Sequence, residues 1–207
     1  MIYRPPAFRE DRLEVLHALI GSHPLATLVT HGPDGLAANL IPFTLDASRG
    51  ERGVLRAHLA AANDQIAALR AGNEALVIFQ GPESYITPSW YASKREHGKV
   101  VPTWNFVLVE AWGRPVVIDD ATWLRGQIEE LTQANEASRA EPWHVADAPT
   151  PYIDSQLKGI VGIEIPIARL EGKWKVSQNR PEADREGVVE GLTGAGHPEM
   201  AELVRKG

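Results

Sequence analysis

The residues with the most chemical capacity fall in two runs. The first, Ser84 to Gly113, reads SYITPSWYASKREHGKVVPTWNFVLVEAWG and sets Tyr85, Trp90, Tyr91, Trp104 and Trp112 among Ser89, Lys94, Arg95, His97, Lys99, Thr103 and Asn105. The second, Gly172 to Arg180, reads GKWKVSQNR and places Trp174 among Lys173, Lys175, Ser177, Gln178, Asn179 and Arg180. Aromatic rings bring apolar area and a flat face, while hydroxyl, amide and cationic groups at short spacing bring the donors that a planar, phosphorylated ligand requires. A phosphate monoester, with close to two negative charges and three acceptor oxygens, calls for Arg or Lys flanked by hydroxyls or amides.

Each of these residues also has a plainer reading. Lysines spaced along a strand can guard a solvated edge against aggregation. Trp90, Tyr91 and Trp104 can be core or interface area rather than a wall for a ring. Ser89, Thr103 and Asn105 can satisfy loop backbone as readily as a ligand. His58 and Asn63 sit where a strand, VLRAHL, gives way to a short helix, NDQIAALRAG. There Asn63 can act as a helix cap, with Ile66 and Leu69 inward. The remaining histidines lack partners at metal-ligand spacing, so no metal site is read. GxSxG, GxxxxGK[ST], HExxH and GxGxxG patterns do not occur.

Composition bounds what these residues can serve. The chain has 207 residues, 43% of them hydrophobic and 23% charged, which suits one folded domain spanning 1–207 with helical N-terminal and C-terminal segments. It has no cysteine, which excludes disulfides, thiolate metal sites and a cysteine nucleophile. The opening MIYRPPAFREDRLEV is charged and proline-rich where a signal peptide needs an apolar core, and no stretch approaches the roughly 18 apolar residues of a membrane span. A cytoplasmic protein without a membrane partner is expected. A net charge of −6 offers no footprint for DNA, whereas local cationic patches at Lys94, Arg95 and Lys99 and at Arg169, Lys173, Lys175 and Arg180 suit a small anion.

The elements that must position these groups are short. Asp11 opens a helix through Ile20, and Pro33-Asp34-Gly35 turns one strand into the next. EALVIFQG reads as a strand broken at Gly81 and Pro82, and the segment from there to Val101 reads as loop. TWNFVLVEAWG alternates as a long strand. Asp119 or Asp120 caps the strongest helix, ATWLRGQIEELTQANEA. Trp143 and Tyr152 are expected to anchor the loop after it. IVGIEIPI and KWKVSQN follow as strands, the latter with Lys173, Lys175, Ser177 and Asn179 on one face. Two short helices, around 186–192 and 198–206, close the chain. Strands joined by hairpin-length turns and interrupted by helices predict a mostly β, antiparallel barrel or sheet with peripheral helices.

Several runs, in order, carry a resemblance: IYRPPAF, AHLAAAN, IFQGPESYITPSWYASKREHGKVVPTWN, DDATWL, EPWHVADAP, GIVGIEIPIARLEGKWKVSQNRPEADREGVVEGL and MAELV. Together they resemble the PaiB family of FMN-binding negative transcriptional regulators over nearly the whole chain. The resemblance implies an FMN-binding split β-barrel related to pyridoxamine 5′-phosphate oxidase, a homodimer with flavin at the interface, and FMN as cofactor. It also implies that His58 and Asn63 face the flavin. A flavin-dependent oxidoreductase is the competing expectation, and a packing module whose flavin site has decayed is the third. The chain departs from the family pattern at Ala61, where arginine is commoner, and at Asp64, where proline is commoner. That removes a basic residue from a region that helps hold the flavin phosphate in related barrels.

Overall fold

Period-two stretches become strands and period-3.6 stretches become helices throughout the computed structural model, which describes residues 2–207. In chain order the elements are β1 (Arg9–Glu10), α1 (Leu13–Ser22), β2 (Leu25–Gly32), β3 (Gly35–Pro42), β4 (Thr44–Asp46), β5 (Val54–Ala60), α2 (Gln65–Arg70), β6 (Ala75–Ile86) and α3 (Ala92–Glu96). They continue with β7 (Thr103–Gly113), β8 (Val116–Ile118), α4 (Ala121–Glu136), α5 (Thr150–Leu157), β9 (Ile160–Pro166), β10 (Arg169–Lys175), α6 (Glu182–Gly194) and α7 (Pro198–Lys206). The chain divides into two compact units. One holds the described residues through Leu19, Gln80–Val109 and Glu171–Gly207, and the other holds Ile20–Phe79 and Glu110–Leu170.

In the first unit the strand order is β1-β10-β7-β6, with Arg9 opposite Lys173 and Glu10 opposite Gly172 in an antiparallel pair. Several sequence expectations change here. β6 does not break at Gly81 and Pro82. Gly81 lies where a Cβ would come within 2.6 Å of the Val107 side chain and 2.7 Å of Leu19, so the glycine serves close packing and not chain reversal. The stretch after Pro88 is not all loop, because α3 forms over Ala92–Glu96. A third expectation concerns β10, which stops at Lys175. Ser177 takes a left-handed φ of 64° and turns the chain, so Lys173, Lys175, Ser177 and Asn179 do not share one strand face. Beyond the turn α6 runs from Glu182, four residues earlier than its apolar pattern predicted.

The second unit contains the four-stranded sheet β4-β5-β9-β8 and the strands β6-β2-β3. The β2–β3 hairpin closes on Pro33-Asp34, with Gly35 at φ 102°, as the turn residues dictate. Leu28, Leu55, Ala57, Ile163 and Ile165 are fully buried, and Phe43 meets Phe79 edge to face at 6.0 Å. Gln65 is the buried polar exception on α2. Its amide donates to the Leu28 and Ala37 carbonyls and the Thr30 hydroxyl, and its oxygen accepts from Asn39, so the group is satisfied where α2 meets the hairpin. On α2 the buried side chains are Gln65, Ala68 and Leu69, while Ile66 is only half-buried. Asp120 is the residue that caps α4, accepting from the Trp123 N–H at 2.7 Å. Trp143 and Tyr152 are not anchors: they are 46% and 57% exposed, and the packing is done by Val145 and Ile153 with Leu124 and Leu157. Branched aliphatics of that size fill the gap between α4 and α5 without a polar atom to satisfy.

Candidate functional site

The two chemistry-rich runs meet in the first unit, at the start of β7 and the end of β10. The Lys175 ammonium donates to the Thr103 hydroxyl and to the Trp104 carbonyl. One residue further along β7, Asn105 donates to Ser177 Oγ at 2.9 Å, and the hydroxyl is also within 3.2 Å of Asn105 Oδ1. Both residues are buried, at 1% and 3% exposure. Ser177 is the one non-glycine residue with positive φ among those described. For a residue with a Cβ that backbone costs about 1–2 kcal/mol and persists where the surroundings over-determine it, typically around binding sites. The turn is held further by Gln178, whose side chain accepts from the Val176 N–H at 2.8 Å and donates to the Trp174 carbonyl at 2.5 Å, and by Arg180 N–H to the Ser177 carbonyl.

This turn gathers positive charge. Lys173 lies 5.2 Å from the Phe106 ring and 5.3 Å from that of Tyr3, Lys175 lies 6.0 Å from Phe106, and the Arg180 guanidinium stacks 4.7 Å from Tyr91. Among the described residues, none of the three cations is in ion-pair contact with a carboxylate. Burial first, then the neighbouring charges of Lys173 and Arg180, hold the Lys175 amine below its ordinary pKa. Tyr91 is fully buried, and burial pushes its phenol up against the opposing pull of the Arg180 charge.

The remaining predicted residues separate by role. Trp104 is half exposed and meets Tyr85 edge to face at 5.9 Å, which leaves ring surface open to solvent. Lys94, on the exposed side of α3, donates to the Ser89 hydroxyl at 3.1 Å, back across the turn that precedes the helix. Trp90 is packed by α6: a Cβ on Gly191 would fall 2.2 Å from its ring, and one on Gly187 would fall 2.0 Å from its carbonyl oxygen. Asn179 is exposed at the tip of the turn. His58 and Asn63 belong to the second unit. There His58 Nδ1 lies 2.7 Å from Gln127 Oε1, and Asn63 accepts from the Gln65 N–H at 2.9 Å, as its capping chemistry predicts. Arg169, counted above with the second cationic patch, stacks 3.7 Å from Trp112 in that same unit.

Sequence reasoning passed over Ser93 and Asp184. The Asp184 carboxylate accepts from the Ser93 N–H at 2.9 Å and from its hydroxyl at 2.5 Å, although 91 residues separate them. Burial pushes the Asp184 carboxyl up, but the two Ser93 hydrogen bonds and the Arg180 charge together bring it below its usual value. The one local signal was an acid in the first turn of a helix, which fixes no partner. Phe106 and Tyr3, which flank the lysines, were likewise unmarked because a ring on a strand ordinarily reads as packing.

The family model described as "Putative FMN-binding domain" matches residues 2–169. An uncharacterized protein of Emericella nidulans is 38% identical, over 94% of this chain and 92% of its own length. The Bacillus subtilis protein named Protease synthase and sporulation protein PAI 2 is 30% identical, over 98% of this chain and 96% of its own. Among solved structures, the flavocytochrome Anf3 of Azotobacter vinelandii is similar with a TM-score of 0.61 at 15% identity, covering 84% of this chain and 72% of that one. The FAD and heme binding protein of Mycobacterium smegmatis is similar with a TM-score of 0.61 at 18% identity, covering 88% and 80%. At such identities the structural likeness speaks for the fold. With the family match and the PAI 2 identity spread along the chain, this protein belongs to the PaiB-type FMN-binding family and has its mostly antiparallel split-barrel fold with peripheral helices.

Proposed function

We propose that this protein binds FMN and that Lys173, Lys175 and Arg180 hold the flavin phosphate. The observation that carries the assignment is the half-buried Lys175 amine, hydrogen-bonded to Thr103 and the Trp104 carbonyl and set beside two other cations, none of the three in ion-pair contact with a carboxylate among the described residues. Such a cluster is electrostatically unfavourable by itself, and a dianion with three acceptor oxygens converts it to charge-assisted hydrogen bonds. The open faces of Trp104 and Tyr85 offer apolar area to the isoalloxazine, and Ser89 with Lys94 adds donors. Once bound, FMN supplies redox chemistry of its own, and the protein's part is binding and orientation. Titration with FMN and with riboflavin tests the assignment. Lys175→Met and Arg180→Ala should each weaken FMN while leaving riboflavin, which lacks the phosphate, unchanged. Unaltered FMN affinity in both variants would remove the phosphate site.

The outer face of the β2–β3 hairpin supports a homodimer. Leu25, Thr27, Val29 and His31 stand opposite Pro42, Leu40, Ala38 and Leu36, and Leu36 and Leu40 are 77% and 64% exposed. A contiguous apolar face of this kind on one protomer is matched by the same face on a second. Leu40→Glu should convert a dimer to a monomer in light scattering. Function as a negative regulator of transcription is the reading that follows from the PaiB family. With six net negative charges per chain, control runs through a protein partner or flavin state rather than through long stretches of DNA phosphate. Oxidation of reduced nicotinamide well above the free-flavin rate would favour the oxidoreductase instead.

A further inference from the structure

The family model ends at residue 169, yet all three cations and the whole of α6 lie beyond it. α6 grips the loop that carries Ser89 and Lys94 at two places. Near its start, the Asp184 carboxylate holds both the backbone N–H and the hydroxyl of Ser93, at the first turn of α3. One to two turns further on, Gly187 and Gly191 make a flat groove filled by Trp90, so close that neither position has room for a Cβ. Arg180 is four residues before Asp184, at the entrance to the same helix, and stacks on Tyr91, the residue between Trp90 and α3. Helix and loop therefore engage at several points between Trp90 and Ser93.

We propose that α6 is a positioning element for the anion site, and that Asp184, with the Gly187–Gly191 groove, sets the placement of Arg180 and of the Ser89–Lys94 loop. This rests on the flavin reading above. Asp184 touches no ligand and acts through Ser93. Its buried carboxylate is satisfied by two donors on one residue, so the geometry it imposes is specific, and its loss frees the loop from the helix.

Two measurements separate this proposal from the flavin reading. Trypsin, applied to the protein without flavin, reports on the loop through cleavage after the exposed Lys94 and Arg95. Asp184→Asn should accelerate that cleavage by about tenfold, and Ser93→Ala, which keeps the backbone N–H, should do so less. FMN titration by fluorescence quenching reports on the site. Asp184→Asn should raise the Kd about tenfold, and in an Arg180→Ala background the same substitution should cost clearly less, because part of its effect is the placement of Arg180. Equal cleavage of wild type and Asp184→Asn, or losses that multiply in the double variant, would overturn the proposal. A wild type that binds no FMN overturns the flavin reading alone, since the cleavage arm needs no flavin.

Discussion

Charge is handled in opposite ways in the two units. In the second, Arg49 and Arg56 meet Glu164, Arg56 also meets Glu130, and the Trp123 indole N–H donates to Glu164 at 3.1 Å. Arg56 further stacks 5.0 Å from the Trp123 ring. Both of these arginines have a carboxylate, and the network ties β5 and β9 to α4. In the first unit Lys173, Lys175 and Arg180 face aromatic rings and each other, beside a serine in a strained backbone. Balanced charge holds a fold together, whereas like charge maintained beside strain is a cost that a ligand relieves.

The largest effects should separate these two regions most sharply. Lys175→Met is expected to weaken FMN by about 10- to 100-fold, or about 1.4–2.8 kcal/mol, with thermal stability unchanged or raised, since a poorly solvated cation has been removed. Glu164→Gln should do the reverse: flavin affinity within about twofold of wild type and a loss of about 1–3 kcal/mol, read as a fall of a few degrees in Tm. A variant that shifted both quantities together would erase the distinction.

Acid and base titrations sharpen the same contrast. The Arg49 hydrogen bonds outweigh burial and hold the Glu164 carboxyl below its ordinary 4.5, so its stabilising contribution is fully present above pH 4.5 and is lost as pH falls through the native value. Lys175 lies below its ordinary 10.5. The native state therefore binds fewer protons than the unfolded chain between the lowered value and 10.5, and stability rises with pH across that window. Urea melts should show the gap between wild type and Lys175→Met closing as pH approaches 10.5, while FMN affinity declines over the same range.

The smallest effect concerns the turn itself. Ser177→Gly and Ser177→Ala both lose the hydrogen bonds to Asn105, but only glycine accepts φ 64° without strain. The glycine variant should be the more stable by about 1 kcal/mol in denaturant melts. Equal stability would mean that the left-handed backbone carries no cost at this position.

Much of this was legible along the chain because its causes are local. Asp120 caps α4 through its own next turn, Pro33-Asp34-Gly35 reverses a hairpin, and clustered aromatics and cations mark both halves of the candidate site. Other features were hidden because their causes are distant. Gly81 reads as a strand breaker until Val107 and Leu19 are seen pressed against it, and Trp143 reads as an anchor until Val145 and Ile153 are found to have filled the space.

By itself the sequence determined which groups are available: a donor-rich aromatic run, a cationic turn, no thiol, and the family to which they belong. Tertiary structure alone decided which of them meet. Lys175 reaches Thr103, Ser177 bends back onto Asn105 and Asp184 takes hold of Ser93 only when strands and helices far apart in the chain pack side by side. Hydrogen bonds act over about 3 Å, and no periodicity or spacing encodes a distance between residues 72 to 91 positions apart.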